Sequence, residues 1–269
     1  MKTILVATDF SAPANNAVDY ASHLAKETGA ELILFSVHKL STHASNSLAT
    51  TTHIDDLLKK KEDQLLALAQ KLSNQFGISV RWELKKDDPI LDLKNYTKTH
   101  PVDLVVMGIE SNLIEYKLLG NTTTAAIKLL QFPLLVVPND IDFTEISNVM
   151  YACESSYLKN SDQLDFLKQF LKAFNAKLEV FHVLTKDSEE LNDIALERIL
   201  DNILKDIDHS YRYVCSPKVG DGIKDGLEHF HADLLVMIPH RRGFFQSIFH
   251  KSHTSQMTVE TRIPLLTKP

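Results

Sequence analysis

Gly120-Asn121-Thr122-Thr123 is the stretch of this chain best suited to hold an anion. A glycine followed by three capping-type residues opens a helical pattern there. Free backbone N–H groups at a helix start, aligned with its dipole, make a phosphate cradle. The same four residues also read as a plain helix cap that binds nothing. Asp9 adds a carboxylate at the end of the apolar run Thr3–Thr8. Two histidine pairs invite a metal, His229 with His231 and His250 with His253. The second pair has one-face helical spacing, but no third ligand is fixed, so no metal is expected. Nothing resembles a nucleophile, base and acid set: there is no G-x-S-x-G and no G-x-x-x-x-G-K-[ST] with its phosphate lysine. Without a cationic clamp on a γ-phosphate, phosphoryl transfer is not expected. The chain reads as a binder and not an enzyme, with weak ATPase activity as a lower-ranked reading.

The elements that must position these residues alternate between strand and helix. Ser11-Ala-Pro13 starts a helix whose apolar residues recur to Gly29. Glu31–Val37 is a second strand, 38–52 an exposed polar loop, and Ile54–Phe76 a long helix stopped by Gly77. Ile78–Leu84 alternates as a strand, a short helix follows Asp87-Asp88-Pro89, and Val102–Met107 is an apolar strand. A helix over Asn121–Leu130 and a strand over Leu134–Val137 complete the unit. Such alternation implies parallel crossovers and a sheet covered on both faces. In such a sheet ligands sit beyond the carboxyl ends of the strands, where strand order reverses. That places Ala7, Thr8, Asp9, Val37, Met107 and Gly108 with Gly120–Thr123 as candidate binding residues.

The unit is then repeated. Asp103-Leu-Val-Val-Met107 is answered by Asp233-Leu-Leu-Val-Met237, and Phe132-Pro-Leu-Leu by Ile263-Pro-Leu-Leu. Ile4–Asp9 pairs with Val149–Glu154, and Glu31–Val37 with Lys177–Val183. Matches in one order indicate duplication. The expected domains are 1–139 and 146–269, joined by the polar linker Asn139–Ser147. In the second copy Thr185–Asp208 reads as one helix and Arg212–Ser216 as the third strand. Gly220-Asp-Gly222-Ile-Lys-Asp-Gly226 has the wrong place and spacing for a dinucleotide loop and reads as a strand-to-helix turn.

Composition narrows the partners. A net charge of -6 argues against general nucleic-acid binding. No run of eighteen apolar residues is present to span a membrane. The chain enters a strand-like segment at once, without a signal peptide. Cys153 and Cys215 lack metal-type spacing, fit a reducing cytoplasm, and read as small buried hydrophobes.

The opening I-L-V-A-T-D-F-S and the tail V-D-L-V-V-M-G…L-L-G-N-T-T…F-P-L-L-V-V-P resemble the universal stress protein family, across the whole chain as two tandem copies. The resemblance implies two flavodoxin-like or Rossmann-like doubly wound domains, each a five-stranded parallel sheet with helices on both faces. It implies that the edge strands Leu134–Val137 and Leu265–Thr267 meet, making one chain a pseudo-dimer, with a homodimer of chains as a further assembly. Family ATP binders carry G-x2-G-x9-G followed by Ser or Thr. Gly108 matches the first glycine and Gly120 the third, with Asn121, Thr122 and Thr123 after it. Asp9 matches the acidic residue near the nucleotide, and Val37 the adenine contact. The second glycine falls at Ser111, the loop is one residue short, and Glu110 and Glu115 put negative charge on it against Lys117.

The second copy departs further. Asp9 becomes Glu154, Gly108 becomes Ile238 before Pro239, and Gly120 becomes Lys251. ATP, with magnesium, is therefore expected in the N-terminal copy only. Phe244, Phe245 and Phe249 are expected to fill the second site, the alternative being a patch with Arg241 and Arg242. The leading expectation is a cytoplasmic stress-response regulator that senses ATP or a related nucleotide. Its alternative is a nucleotide-free interaction module that engages an unidentified protein partner.

Overall fold

The computed structural model describes residues 1–38, 51–86, 88–110, 126, 132–153, 164–184, 193–238 and 263–268. The first half contains strands β1 (Thr3–Ala7), β2 (Glu31–Val37), β3 (Val80–Lys85), β4 (Leu104–Ile109) and β5 (Leu134–Pro138). Its helices are α1 (Ala12–Thr28), α2 (Thr51–Phe76) and α3 (Pro89–Thr99). The second half contains β6 (Asn148–Ala152), α4 (Asp165–Phe174), β7 (Lys177–Leu184), α5 (Asp193–Leu204), β8 (His209–Cys215), α6 (Val219–Phe230), β9 (Leu234–Met237) and β10 (Leu265–Thr267).

All of these strands join one sheet in the order β3-β2-β1-β4-β5-β10-β9-β6-β7-β8. Within each half every pairing is parallel. The halves meet where β5 and β10 run antiparallel, with Leu266 opposite Leu135 and Thr267 opposite Leu134. The expected edge-to-edge meeting is therefore present, and the chain builds two doubly wound α/β units around a continuous sheet.

Alternation along the strands divides the core into two faces, because successive side chains point to opposite sides. Ile4, Val6, Leu32, Leu34, Leu104 and Val106 face α1 and α2, and Val149, Val180 and Val236 continue that layer toward α4 and α5. Leu5, Ile33, Phe35, Val105 and Met107 face α3 and the buried Ala126, and Met150, Phe181 and Leu235 face α6. Strands β1, β4 and β5 are buried on both faces, whereas the outer strands β3 and β8 are half-exposed. No described helix is long and apolar enough to cross a membrane.

Helix ends follow the expected chemistry. The Ser11 hydroxyl accepts from the Ala14 N–H at 3.4 Å, and α1 closes on Gly29 at φ 66°, a left-handed cap that a side chain disfavours. Asp88 caps α3, accepting from the Ile90 and Leu91 N–H groups at 3.0 and 2.9 Å. The duplicated aspartate has a structural task that its repetition does not reveal. Asp233 Oδ2 accepts from the Ser147 and Asn148 N–H groups at 2.9 and 2.8 Å, tying the start of β9 to the start of β6. Asp103 makes the same latch in the first half, on the N–H groups of Lys2 and Thr3. Asp233→Ala should cost about 1–2 kcal/mol, since two charge-assisted bonds to backbone are lost at a partly solvated site. Urea unfolding checks this, and a change within error would show that water replaces the carboxylate.

The linker is docked rather than free. Asn16 Nδ2 donates to the Pro138 and Ile141 carbonyls at 2.8 and 3.0 Å. The Phe143 ring stacks on His23 at 5.0 Å and meets Tyr20 edge-on at 5.1 Å.

Several sequence expectations are corrected. Gly220, Gly222 and Gly226 lie inside α6, not in a turn before it, and all three are buried. The α5 helix ends at Leu204, because Leu204 accepts from the Ile207 N–H in a tight turn that leads into β8. The α2 helix already includes Thr51 and Thr52, assigned above to the preceding loop. Cys153 is buried as expected, but Cys215, at the end of edge strand β8, is exposed.

Candidate functional site

Strand order reverses beside β1, which has β2 on one side and β4 on the other. A cavity of about 350 Å³ opens there, at the carboxyl ends of these strands. Ala7, Thr8 and Asp9 line it from β1, Val37 from β2, and Met107 and Gly108 from β4. Six of the ten candidate residues are thus brought together. Gly120, Asn121, Thr122 and Thr123 lie outside the described residues, as do Phe244, Phe245 and Phe249.

One wall is apolar. Phe35 and Val37 project from β2, Met107 from β4, and Pro89, Ile90 and Leu93 from the first turns of α3. The strand ends alone do not reveal the α3 contribution. Its signal was present in Asp88-Pro89, a cap followed by an early proline, which fixes the helix start beside the strand ends. The slot between β2 and α3 suits a flat, largely apolar group.

The other wall is the β1–α1 turn, and it is built on strain. Phe10 has φ 67°, a left-handed conformation that bulky residues seldom adopt. Surrounding bonds hold it there. The Phe10 N–H donates to Thr8 Oγ1 at 3.2 Å, and Asn15 Nδ2 donates to the Phe10 carbonyl at 3.1 Å. Lys61 Nζ lies 5.7 Å from the Phe10 ring centroid. No local sequence pattern announced this residue.

The turn also sets the state of Asp9. Burial alone would raise its carboxyl, but hydrogen bonds from Ser11 outweigh that and, with Lys61, hold it below its ordinary value. The Ser11 N–H donates to Asp9 Oδ1 at 2.9 Å. Asp9 is therefore a carboxylate at neutral pH, facing the same cavity as Glu110.

Gly108 is explained by packing. A Cβ built on it would stand 2.0 Å from the Pro13 carbonyl oxygen and 2.9 Å from the Ala14 nitrogen. The first turn of α1 rests directly on β4 at this point, so the glycine admits the helix whether or not a ligand is present.

The second half treats its corresponding region differently. Tyr96 and Gly226 stand at the same separation before the repeated Asp103 and Asp233, as do Asp92 and Gly222. In the first half Tyr96 meets Phe35 with ring centroids 5.3 Å apart. In the second, a Cβ on Gly226 would fall 2.4 Å from Phe181 Cζ, and one on Gly222 2.8 Å from Val183 Cγ1. The α6 glycines thus seat the helix directly on Phe181 and Val183, the counterparts of Phe35 and Val37. Among the described residues no cluster of His, Cys, Asp or Glu is arranged to hold a metal ion.

A model of the universal stress protein family matches residues 1–138. Universal stress protein MJ0531 of Methanocaldococcus jannaschii is 28% identical over 138 residues, covering 51% of this chain and 81% of that protein. Universal stress protein YxiE of Bacillus subtilis is 27% identical over 143 residues, covering 50% of this chain and 97% of that protein. The crystal structure of a universal stress protein from Archaeoglobus fulgidus aligns over 98% of this chain and 97% of its own, with a TM-score of 0.77 and 18% identity. At that identity the likeness speaks for the fold, here extending over both halves.

Proposed function

The chain belongs to the universal stress protein family, and from that premise we propose that its N-terminal half binds ATP or a related nucleotide as a stress-response regulator. The observation that carries the reading is the cavity at the strand-order reversal, where an apolar slot faces a polar turn. Its volume of about 350 Å³ lies within the range of small-molecule sites. Phe35, Val37, Ile90, Leu93 and Met107 would hold the base. Thr8 and Asp9 offer a hydroxyl and a carboxylate to the ribose. The asymmetry is favoured by the second half, where the α6 glycines bring that helix against Phe181 and Val183, the counterparts of Phe35 and Val37. The protein acts by binding, with magnesium accompanying a triphosphate ligand.

Titration calorimetry of the full chain with ATP and magnesium tests this, with one nucleotide per chain expected. Leu93→Trp should reduce affinity at least tenfold, equivalent to about 1.4 kcal/mol, by filling the slot. Two sites per chain would refute the asymmetry. Silence at millimolar ATP and millimolar adenosine would refute nucleotide binding and favour the interaction module.

A further inference from the structure

Resting on that reading, we infer that Lys61 of α2 is a positioning residue for the cavity, holding the β1–α1 turn in the form that presents Thr8 and Asp9 to a ligand. The turn is divided between two sides. Thr8, Asp9 and Ser11 line the cavity, whereas Phe10 packs against the core layer that faces α1 and α2. The backbone at Phe10 has φ 67°. A bulky residue keeps that conformation only where its surroundings over-determine it.

The restraints on Phe10 come from two sources. The Phe10 N–H donates to Thr8 Oγ1 at 3.2 Å, and Asn15 Nδ2 donates to the Phe10 carbonyl at 3.1 Å. Thr8 and Asn15 belong to the turn and helix that they brace, so these bonds fix its local shape. Lys61 comes from a separate element, and Leu58 and Leu65 to either side of it are buried, which seats that helix on the core. Its Nζ lies 5.7 Å from the Phe10 ring centroid, close enough for a cation to be attracted to an aromatic face. The same charge reaches the neighbouring residue. Burial raises the Asp9 carboxyl, hydrogen bonds from Ser11 lower it by more, and the Lys61 charge adds to that lowering. One ammonium thus acts on the ring that turns away from the cavity and on the carboxylate that faces it.

This role differs from a direct contact with phosphate in what it does to different ligands. A phosphate contact serves ATP and leaves adenosine indifferent. Placement of Thr8 and Asp9 serves every ligand whose ribose they meet, with or without phosphates. Lys61 reaches this wall across the Phe10 ring, which favours the second case.

The test is calorimetry of the full chain and its Lys61→Met and Lys61→Arg variants with adenosine and with magnesium ATP. An NMR titration of the Asp9 carboxyl without ligand accompanies it. Lys61→Met should weaken adenosine and ATP alike, by about fivefold, the scale of one partly exposed contact between a cation and a ring. Lys61→Arg should restore both affinities. The Asp9 midpoint should rise in Lys61→Met, because a positive charge is removed, and return in Lys61→Arg. A loss for ATP about tenfold beyond that for adenosine would put Lys61 on the phosphates, overturning this inference and leaving the nucleotide reading in place. Unchanged adenosine affinity in a folded Lys61→Met variant would show a purely structural contact and overturn it too, as would an unmoved Asp9 midpoint. If the unaltered chain binds neither adenosine nor ATP, the nucleotide reading falls and this inference falls with it.

Discussion

Gly108→Ala is expected to destabilise the protein by about 3 kcal/mol or more, at the upper end of what overpacking a core costs. The added methyl would lie 2.0 Å from the Pro13 oxygen and 2.4 Å from the Pro13 carbonyl carbon. These are backbone atoms at the start of a helix, and no rotamer change can move them aside. Relief requires α1 to retreat from the sheet. That helix buries Pro13, Ala14, Ala17, Val18, Tyr20, Ala21, Leu24 and Ala25, so retreat loosens contacts along its length. Denaturant unfolding should show a lower midpoint at an unchanged slope. An account in which Gly108 serves the ligand predicts the reverse pattern, with affinity lost and stability kept. A loss below about 1 kcal/mol would therefore show that the helix yields easily and return the glycine to the ligand.

The difference between those two accounts bears on what a sequence makes legible. The strands were legible because runs such as Leu104–Met107 are apolar throughout and bounded by turn residues. Ser11, Asp88 and Gly29 announced helix ends, because capping acts between near neighbours in the chain. The meeting of Leu134–Val137 with Leu265–Thr267 followed from the resemblance, since no local pattern encodes which edges pair. What depends on distance in space was hidden. Gly226 beside Phe181 and Gly108 beside Pro13 are contacts between separate elements, and a glycine's type does not say whether it supplies conformational freedom or space. The turn reading of Gly220–Gly226 failed for that reason, as glycine's low helix propensity was outweighed by the packing it permits. At the site, Ala7, Thr8, Asp9, Val37, Met107 and Gly108 were located from strand ends alone. Ile90 and Leu93 were not, because their part in the wall depends on how α3 lies across β2. Phe10 was illegible altogether, since a left-handed phenylalanine is held by hydrogen bonds that no propensity describes.

Gly226→Tyr, which installs the residue that the first half carries at Tyr96, should be strongly destabilising, at about 3 kcal/mol. Even a Cβ at this position would lie 2.4 and 2.5 Å from the Phe181 ring, and that ring is itself fully buried. On helix propensity alone, tyrosine in place of a helical glycine would gain a few tenths of a kcal/mol, so a net loss isolates the steric effect. Phe181→Ala alone should cost about 3–5 kcal/mol by leaving a cavity beneath α6. The two changes are complementary in volume, because the tyrosine ring can enter the space that the phenylalanine vacates. The double variant should accordingly be less destabilised than the sum of the single ones, by about 2–3 kcal/mol in a double-mutant cycle. Additive losses would mean that α6 and β7 are not in direct contention at this point. The exchange of Tyr96 for Gly226 between the halves would then need an origin other than the depth at which this helix is seated. Restored stability would instead show that the α6 backbone and the Phe181 ring compete for one space, which the glycine leaves to the ring.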